Sequence, residues 1–318
     1  MFFNKAMIWI IIITIFISFS SNSWFIYWLM MEMNMMAFIP IMNKYKQKNL
    51  NAMITYFVIQ AFSSSLFFIS AFQYNLLQND FFIFLINISI LIKLGMIPFH
   101  FWMISISEMM NFNSILILLT IQKIIPLLIF EKFMNNFMIP LFSMSSLFAS
   151  ILAMKFKMIK KILIFSSISH QGWILCLIAK NFNFWMTYML LYFMIIFNII
   201  NFCKKNKFNF LIDFLKKKIK PEIKIKMSMM MMSLGGMPPF LGFFMKIISI
   251  YLLMKMNLIC IIILITSSLI NLFFYMRMII PIFFINMKFF TWNNLVIKNN
   301  FFMNMNYIIL ITLMYMYM

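Results

Sequence analysis

LIKLGMIPFHFW, residues 91–102, closes an apolar run that begins at Phe81, and it holds a lysine, a glycine and a proline in quick succession. At helical rise Lys93 lies about 18 Å into that run. Gly95 follows two residues later, and Pro98 lacks the backbone donor that would continue a helix. A charge beside a broken helix is costly within hydrocarbon. Proteins keep one where an ion path, a proton path or a binding site requires it.

The surrounding composition says that hydrocarbon is the setting. The 318 residues are 65% hydrophobic and 10% charged, with a mean hydropathy of +0.99. No soluble domain of this size hides so much apolar surface, so the expected fold is an all-α polytopic membrane protein. A net charge of +20 would point to nucleic acid on a soluble surface. Here the lysines fall in short loops between apolar runs, where they act as topological signals, and no nucleic-acid partner is expected. Cys176, Cys203 and Cys260 are scattered without the spacing of a disulfide framework or a metal site. The start, MFFNKAMIWIIIITIFISFSSNS, imitates a signal peptide. Further spans follow at once, so it reads as the first transmembrane helix. The chain has 38 Met and 43 Phe but only 5 Gly and a single arginine, Arg277. The favoured residues are those written with A and T, and the excess of Met fits a code in which ATA reads as methionine. The bias points to an animal mitochondrial genome.

Runs long enough to cross about 30 Å of hydrocarbon fall near residues 6–22, 24–42, 51–73, 81–99, 113–131, 137–154, 160–179, 184–202, 227–254, 257–283 and 301–317, eleven expected spans. Lys44, Lys46 and Lys48 follow the second span, Lys155, Lys157, Lys160 and Lys161 the sixth, the basic stretch Lys204–Lys226 the eighth, and Lys288 and Lys298 the tenth. All are even-numbered loops and so share one side. Odd-numbered loops hold only Lys132, Lys180 and Lys255, offset by Asp80 and Glu131. The asymmetry puts the N-terminus on the positive, matrix side and the C-terminus on the opposite side. The segment Phe202–Lys226 contains LIDFLKKKIKPEIKIK and reads as a short amphipathic surface stretch against anionic headgroups.

Four ionisable residues lie inside expected spans: Glu32, Lys93, Lys123 and Lys246. Lys5 and Arg277 are closer to helix ends and can snorkel. One acid cannot pair three bases, which favours a proton or ion path over structural ion pairs. Lysine suits a proton relay, since burial disfavours its charged form and a nearby carboxylate restores it. Movement of Glu32 relative to Lys93 would then switch that lysine between holding and releasing a proton. A second broken span repeats the design: in SLGGMPPFLGFFMK, residues 233–246, Gly235, Gly236, Pro238 and Pro239 open the helix before Lys246. The fourth and ninth spans are five apart and run in opposite directions, and paired breaks of this kind are the sequence trace of inverted-repeat transporters. The expectation is a single membrane domain over 1–318, with inverted five-helix repeats at about 1–131 and 137–283 and an appended helix at 301–317. On that offset Lys123 corresponds to the span carrying Arg277, a candidate further relay group. The cluster SSISHQGW, residues 166–173, adds Ser166, Ser169 and His170. They can line a water path, with His170 titrating near neutrality. Equally, the serines can bond back to their own helix while His170 packs between helices. His100 stands at a helix exit, where an interfacial role is the simpler one.

The stretches WLMMEMNMMAFIP (28–40), KLGMIPFHFW (93–102), IQKIIPL (121–127), KKILIFSSISHQGW (160–173) and SLGGMPPFLGFFMK (233–246) together resemble the antiporter-like membrane subunits of mitochondrial NADH–ubiquinone oxidoreductase, respiratory complex I, in an arthropod-like form. The resemblance runs from near the start of the chain to about Arg277. It implies a module that couples electron transfer from NADH to ubiquinone to proton pumping across the mitochondrial inner membrane. Glu32 would be the central acid, and Lys93, Lys123 and Lys246 the lysines of the relay. Eleven spans match animal members, which lack some N-terminal helices of bacterial relatives. Where the family often has a Pro-Glu pair three residues beyond the motif's final Trp, Ser105 stands here, and Glu108 is the nearest acid. Expected partners are the other antiporter-like and small membrane subunits of complex I, together with lipids including cardiolipin. The chain has no Cys cluster for iron–sulfur ligation and no Gly-rich nucleotide fingerprint. NAD, FMN, iron–sulfur clusters and ubiquinone therefore belong on partner subunits. Two other readings stand beside this one. A cation/proton antiporter of the same fold would want more intramembrane carboxylates than Glu32 alone, and a scaffold that transports nothing would tolerate Lys93→Met.

Overall fold

The structure is a computed structural model and describes residues 2–42, 47–134, 138–211, 213, 221–238, 240–254 and 258–287. Long apolar runs without period-two alternation fold as helices, because a backbone in hydrocarbon must satisfy its own donors and acceptors. Among the described residues these are α1 (Phe2–Ser20), α2 (Trp24–Met42), α3 (Gln47–Leu77), α4 (Asp80–Leu94), α5 (Phe101–Met109), α6 (Phe112–Leu119), α7 (Ile124–Lys132), α8 (Ile139–Ala153), α9 (Ile159–Ala179), α10 (Phe184–Asn206), α11 (Pro221–Gly235), α12 (Leu241–Leu253) and α13 (Leu258–Met287). Six described stretches are long and apolar enough to cross a membrane: 24–42, 50–77, 112–132, 159–179, 184–206 and 258–277. The expected last span, 301–317, lies outside the described residues. So do Lys44, Lys46, Lys255, Lys288, Lys298 and Pro239.

Helix α9 is the axis of the molecule. From Ile162 to Ala179 every residue is buried, the polar Ser166, Ser167, Ser169, His170 and Gln171 among them. Helix α8 lies along it and brings a stripe of small residues, Ser143, Ser146, Ala149, Ser150 and Ala153, all buried. Small residues let two helices approach closely. The approach reaches its limit at Gly172, where a Cβ would stand 2.6 Å from Ser146 Cβ and 2.9 Å from the Phe142 carbonyl oxygen. Helix α13 covers α8 and also touches α9 and α11, while α3 covers α4 and α1 covers α2. Outward faces carry large apolar side chains, among them Phe57, Phe62 and Ile69 on α3 and Ile262, Leu269 and Phe273 on α13. Such continuous apolar surface suits lipid or a partner and does not suit water.

Three helices stop inside apolar sequence. Helix α4 starts with Asn79, whose side chain accepts from Phe81 N, and ends at Gly95 in the left-handed region at φ 65°. There the Met96 N–H reaches back to the Leu91 carbonyl at 3.1 Å, a capping pattern that glycine permits. Helix α11 ends in the same manner. Gly236 has φ 81°, and the Gly236 and Met237 N–H groups both donate to the Met232 carbonyl. The third break divides the expected span 113–131. Helix α6 ends at Leu119, a 3-10 turn runs Ile121–Lys123, and α7 begins at Ile124. Its cause is Pro126, which cannot donate to the Gln122 carbonyl and crowds it.

The segment expected as the long loop 202–226 is shorter than that reading. Helix α10 extends to Asn206 and α11 begins at Pro221, so Lys224 is a buried helical residue. Between them Phe210 forms an isolated antiparallel bridge with Met158, which ties the end of α10 to the start of α9. Residues 212 and 214–220 lie outside the described residues.

Candidate functional site

Each of the three intramembrane lysines sits at one of these helix breaks. Lys93 lies in the last turn of α4, Lys123 in the 3-10 turn, and Lys246 on α12 with its Nζ turned back to the Gly235 carbonyl at 2.6 Å. A helix end leaves carbonyls without partners and carries negative partial charge that favours an ammonium, and Lys246 is seen on such a carbonyl. All three side chains are buried.

Lys93 and Lys123 open on one shared cavity of about 20 Å³, lined also by Tyr56, Gln60, Trp102 and Gln122. That is room for a water molecule among polar walls. The Trp102 indole donates to the Ile92 carbonyl at 3.1 Å, and the Gln60 amide approaches the Lys93 carbonyl at 3.5 Å. The motif's final Trp thus adds a second donor to a carbonyl that already accepts from the Gly95 N–H at the end of α4. On the far wall, Gln122 donates to Asn34 Oδ1 at 2.9 Å and accepts from the Tyr56 hydroxyl at 3.3 Å. Asn34 stands two residues from Glu32 on α2, so the cavity is tied to the helix that carries the acid. Glu32 is half-buried and forms no ion pair with Lys93.

Beyond the cavity, Lys123 Nζ donates to Ser167 Oγ on α9 at 2.9 Å. The Ser166, Ser167 and Ser169 hydroxyls each donate to a carbonyl one turn back. Two of them also accept: Ser167 from Lys123, and Ser169 from Asn271 Nδ2 at 2.8 Å. Bonding back to the helix and lining a polar path therefore coexist in the same side chains. His170 Nδ1 lies 2.8 Å from the Tyr188 hydroxyl, and its ring packs on Tyr192 at 5.1 Å between centroids. The lysines, His170 and the two serines are thus brought to one polar seam through the core.

Other residues singled out in the sequence lie elsewhere. Arg277 is exposed, because two residues beyond the buried Tyr275 the helix has turned through about 200°, and the structure does not bring it to the seam. Lys5 is exposed as well. His100 is buried, with Nδ1 at 3.2 Å from the Pro98 carbonyl and its ring on Phe101 at 4.3 Å. Glu108 pairs with Lys161 at the start of α9, while Lys160 donates to the Met110 carbonyl at 2.5 Å. This acid fastens the end of α5 to α9. The seam also holds residues that sequence reasoning passed over: Asn34, Gln122, Ser167, Tyr188, Tyr192, Asn271 and Tyr275. Of these, Ser167 had a signal in the polar run 166–173 that holds it, and Gln122 in standing next to Lys123, four residues before Pro126.

Helices as the repeating element of the described residues, with apolar outer faces and buried lysines at helix breaks, define a multi-pass membrane protein of the antiporter-like class. Residues 21–271 match the NADH:quinone oxidoreductase/Mrp antiporter transmembrane family. The chain is 67% identical over 307 residues to NADH-ubiquinone oxidoreductase chain 2 of Rhipicephalus sanguineus, covering 96% of this chain and 98% of that protein. Against chain 2 of Anopheles gambiae the identity is 36%, covering 94% and 90%. Among solved structures, a chain of respiratory complex I from Thermus thermophilus with bound aureothin superposes with a TM-score of 0.77 at 15% identity, over 89% of this chain and 71% of that one. A chain of the Mrp complex from Dietzia sp. gives 0.75 at 16% identity, over 86% and 59%. The last two likenesses concern the fold. The chain belongs to the NADH:quinone oxidoreductase/Mrp antiporter family, among its NADH-ubiquinone oxidoreductase chain 2 members.

Proposed function

We propose that protons cross the mitochondrial inner membrane through this core membrane subunit of NADH–ubiquinone oxidoreductase along Lys93, Lys123, His170 and Lys246, under the electrostatic control of Glu32. Ser166 and Ser169 border the path. The observation that carries the reading is the shared cavity, which gives Lys93 and Lys123 a common place for water. A charged lysine at a helix break holds a proton against backbone carbonyls. Withdrawal of the Glu32 carboxylate removes the field that favours the charged form, and the proton leaves for the cavity. Redox chemistry stays on partner subunits, where NAD, FMN, iron–sulfur clusters and ubiquinone are bound. The other membrane subunits of the complex and lipids, cardiolipin included, cover the apolar faces.

The finer architecture belongs to the same proposal: eleven spans, inverted repeats at about 1–131 and 137–283 with an appended helix at 301–317, the N-terminus in the matrix and the C-terminus in the intermembrane space. The lysines at the breaks after α4 and α11 support the repeats. Lysine-bearing even-numbered loops support the orientation. In assembled complex carrying Glu32→Gln or Lys93→Met, NADH-driven proton uptake into reconstituted vesicles should fall by about tenfold, equivalent to about 1.4 kcal/mol in the limiting barrier. Normal uptake by both variants would sink the relay.

A further inference from the structure

Helix α2, which carries Glu32, is joined by side-chain contacts to the broken turn that carries Lys123. Asn34 and Phe38 stand one turn apart on the buried face of α2. Asn34 Oδ1 accepts from the Gln122 amide at 2.9 Å, and Phe38 packs on the Tyr56 ring at 5.2 Å between centroids. Gln122 and Tyr56 are themselves joined, since the Tyr56 hydroxyl donates to Gln122 Oε1 at 3.3 Å. Asn34, Phe38 and Tyr56 are all buried, so bulk water does not compete for these bonds.

Both neighbouring helix breaks meet this group. Gln122 immediately precedes Lys123 in the 3-10 turn, and that turn is closed by the Lys123 N–H on the Thr120 carbonyl at 3.2 Å. A shift of Gln122 therefore carries Lys123 with it. On the other side the Tyr56 ring meets that of Trp102 at 6.0 Å, and the Trp102 indole donates to the Ile92 carbonyl next to Lys93. Ring contacts can slide, whereas a hydrogen bond fixes distance and direction. The hydrogen-bonded route runs through Gln122.

A buried amide needs partners wherever it stands, and that need alone would account for the two bonds. It does not account for their place. Gln122 reaches α2 and α3 at once from a 3-10 turn inside a third span, and such turns are where helices hinge. Asn34 stands about 200° around α2 from Glu32, so a rotation of α2 that withdraws the acid also moves the amide.

We infer that Gln122, held by Asn34, is a positioning residue that makes Lys123 follow α2. A turn of α2 that carries Glu32 away from Lys93 pulls on Gln122 and shifts Lys123 Nζ against Ser167. This rests on the proton path proposed above, and it adds a mechanical control to the electrostatic one.

The test is Gln122→Met, Asn34→Leu and the double variant in the intact complex, with Lys123→Met as reference. Methionine keeps the length of the side chain and removes both hydrogen bonds. Assembly and NADH oxidation are followed beside proton uptake into vesicles. The expected result is assembled complex whose protons translocated per NADH fall several-fold in each single variant and no further in the double, because either change breaks the same link. Wild-type stoichiometry in Gln122→Met, with Lys123→Met impaired, reduces the bond to packing and overturns the inference alone. Losses that multiply in the double variant overturn it as well, since the two residues then act separately. Normal pumping by Lys123→Met removes the path and the link with it. If the variants fail to assemble, maps of the unsubstituted complex at rest and during turnover decide. Asn34 and Gln122 still joined, while Glu32 changes place and Lys123 Nζ leaves Ser167, support the link. A moved Glu32 with Lys123 Nζ still on Ser167, a parted amide pair or an unmoved α2 refutes it.

Discussion

A Cβ at residue 95 would stand 2.1 Å from Met103 Sδ, on a backbone with φ +65°. Gly95→Ala therefore combines left-handed strain with overpacking, each costing about 1–3 kcal/mol. The expected outcome is a lowered midpoint in the thermal unfolding of the solubilised complex, and an unchanged midpoint would show that the α4 break yields freely. At this scale the charged residues of the site are legible from the sequence, because a lysine or glutamate in an apolar run has no unremarkable explanation. Tyr192, Tyr275 and Asn271 are not. In a chain with 43 Phe and 11 Tyr, a hydroxyl at the end of a ring marks nothing until its neighbours are known.

The breaks belong to the scale of the element. Gly95 with Pro98, and Gly235 with Gly236, announce the ends of α4 and α11 in the sequence. The break at Thr120–Lys123 reads there as continuous helix, although Pro126 lies one turn beyond it. Proline in a helix interior costs about 3 kcal/mol, so Pro126→Ala should let α6 and α7 join without loss of stability. Joining them would carry Lys123 Nζ off Ser167. The variant is expected to assemble at normal levels and to pump several-fold less per NADH, as read in vesicles. Full pumping would make the break a packing detail. The pair Glu108–Lys161 is a different kind of contact. Glu108 is half exposed, and an exposed ion pair is worth about 0–1 kcal/mol, so Glu108→Gln should assemble and pump normally.

Among the described residues, large apolar faces point outward and the polar seam lies within, a distribution that suits lipid or a neighbouring subunit and does not suit water. After mild solubilisation and native electrophoresis this polypeptide should co-migrate with a large band that oxidises NADH. Migration by itself, or in a small complex without that activity, would contradict membership of the complex and favour a free antiporter. The fold class and the positions of six spans can be read from hydropathy alone. That α9 lies at the centre cannot, because its composition is no more apolar than that of helices facing lipid.

The sequence by itself determined that this chain is a helical membrane protein, that glycine and proline interrupt two of its spans, and that Glu32, Lys93, Lys123 and Lys246 are its exceptional residues. These are local properties: hydropathy, backbone freedom and charge are carried by each residue wherever it stands. Only the tertiary structure decided that Lys93 and Lys123 share a cavity, that Lys123 rests on Ser167, and that Arg277 faces away. Those relations depend on helix rotation and on which helices touch, and both are set by the close packing of small residues such as Gly172 against Ser146.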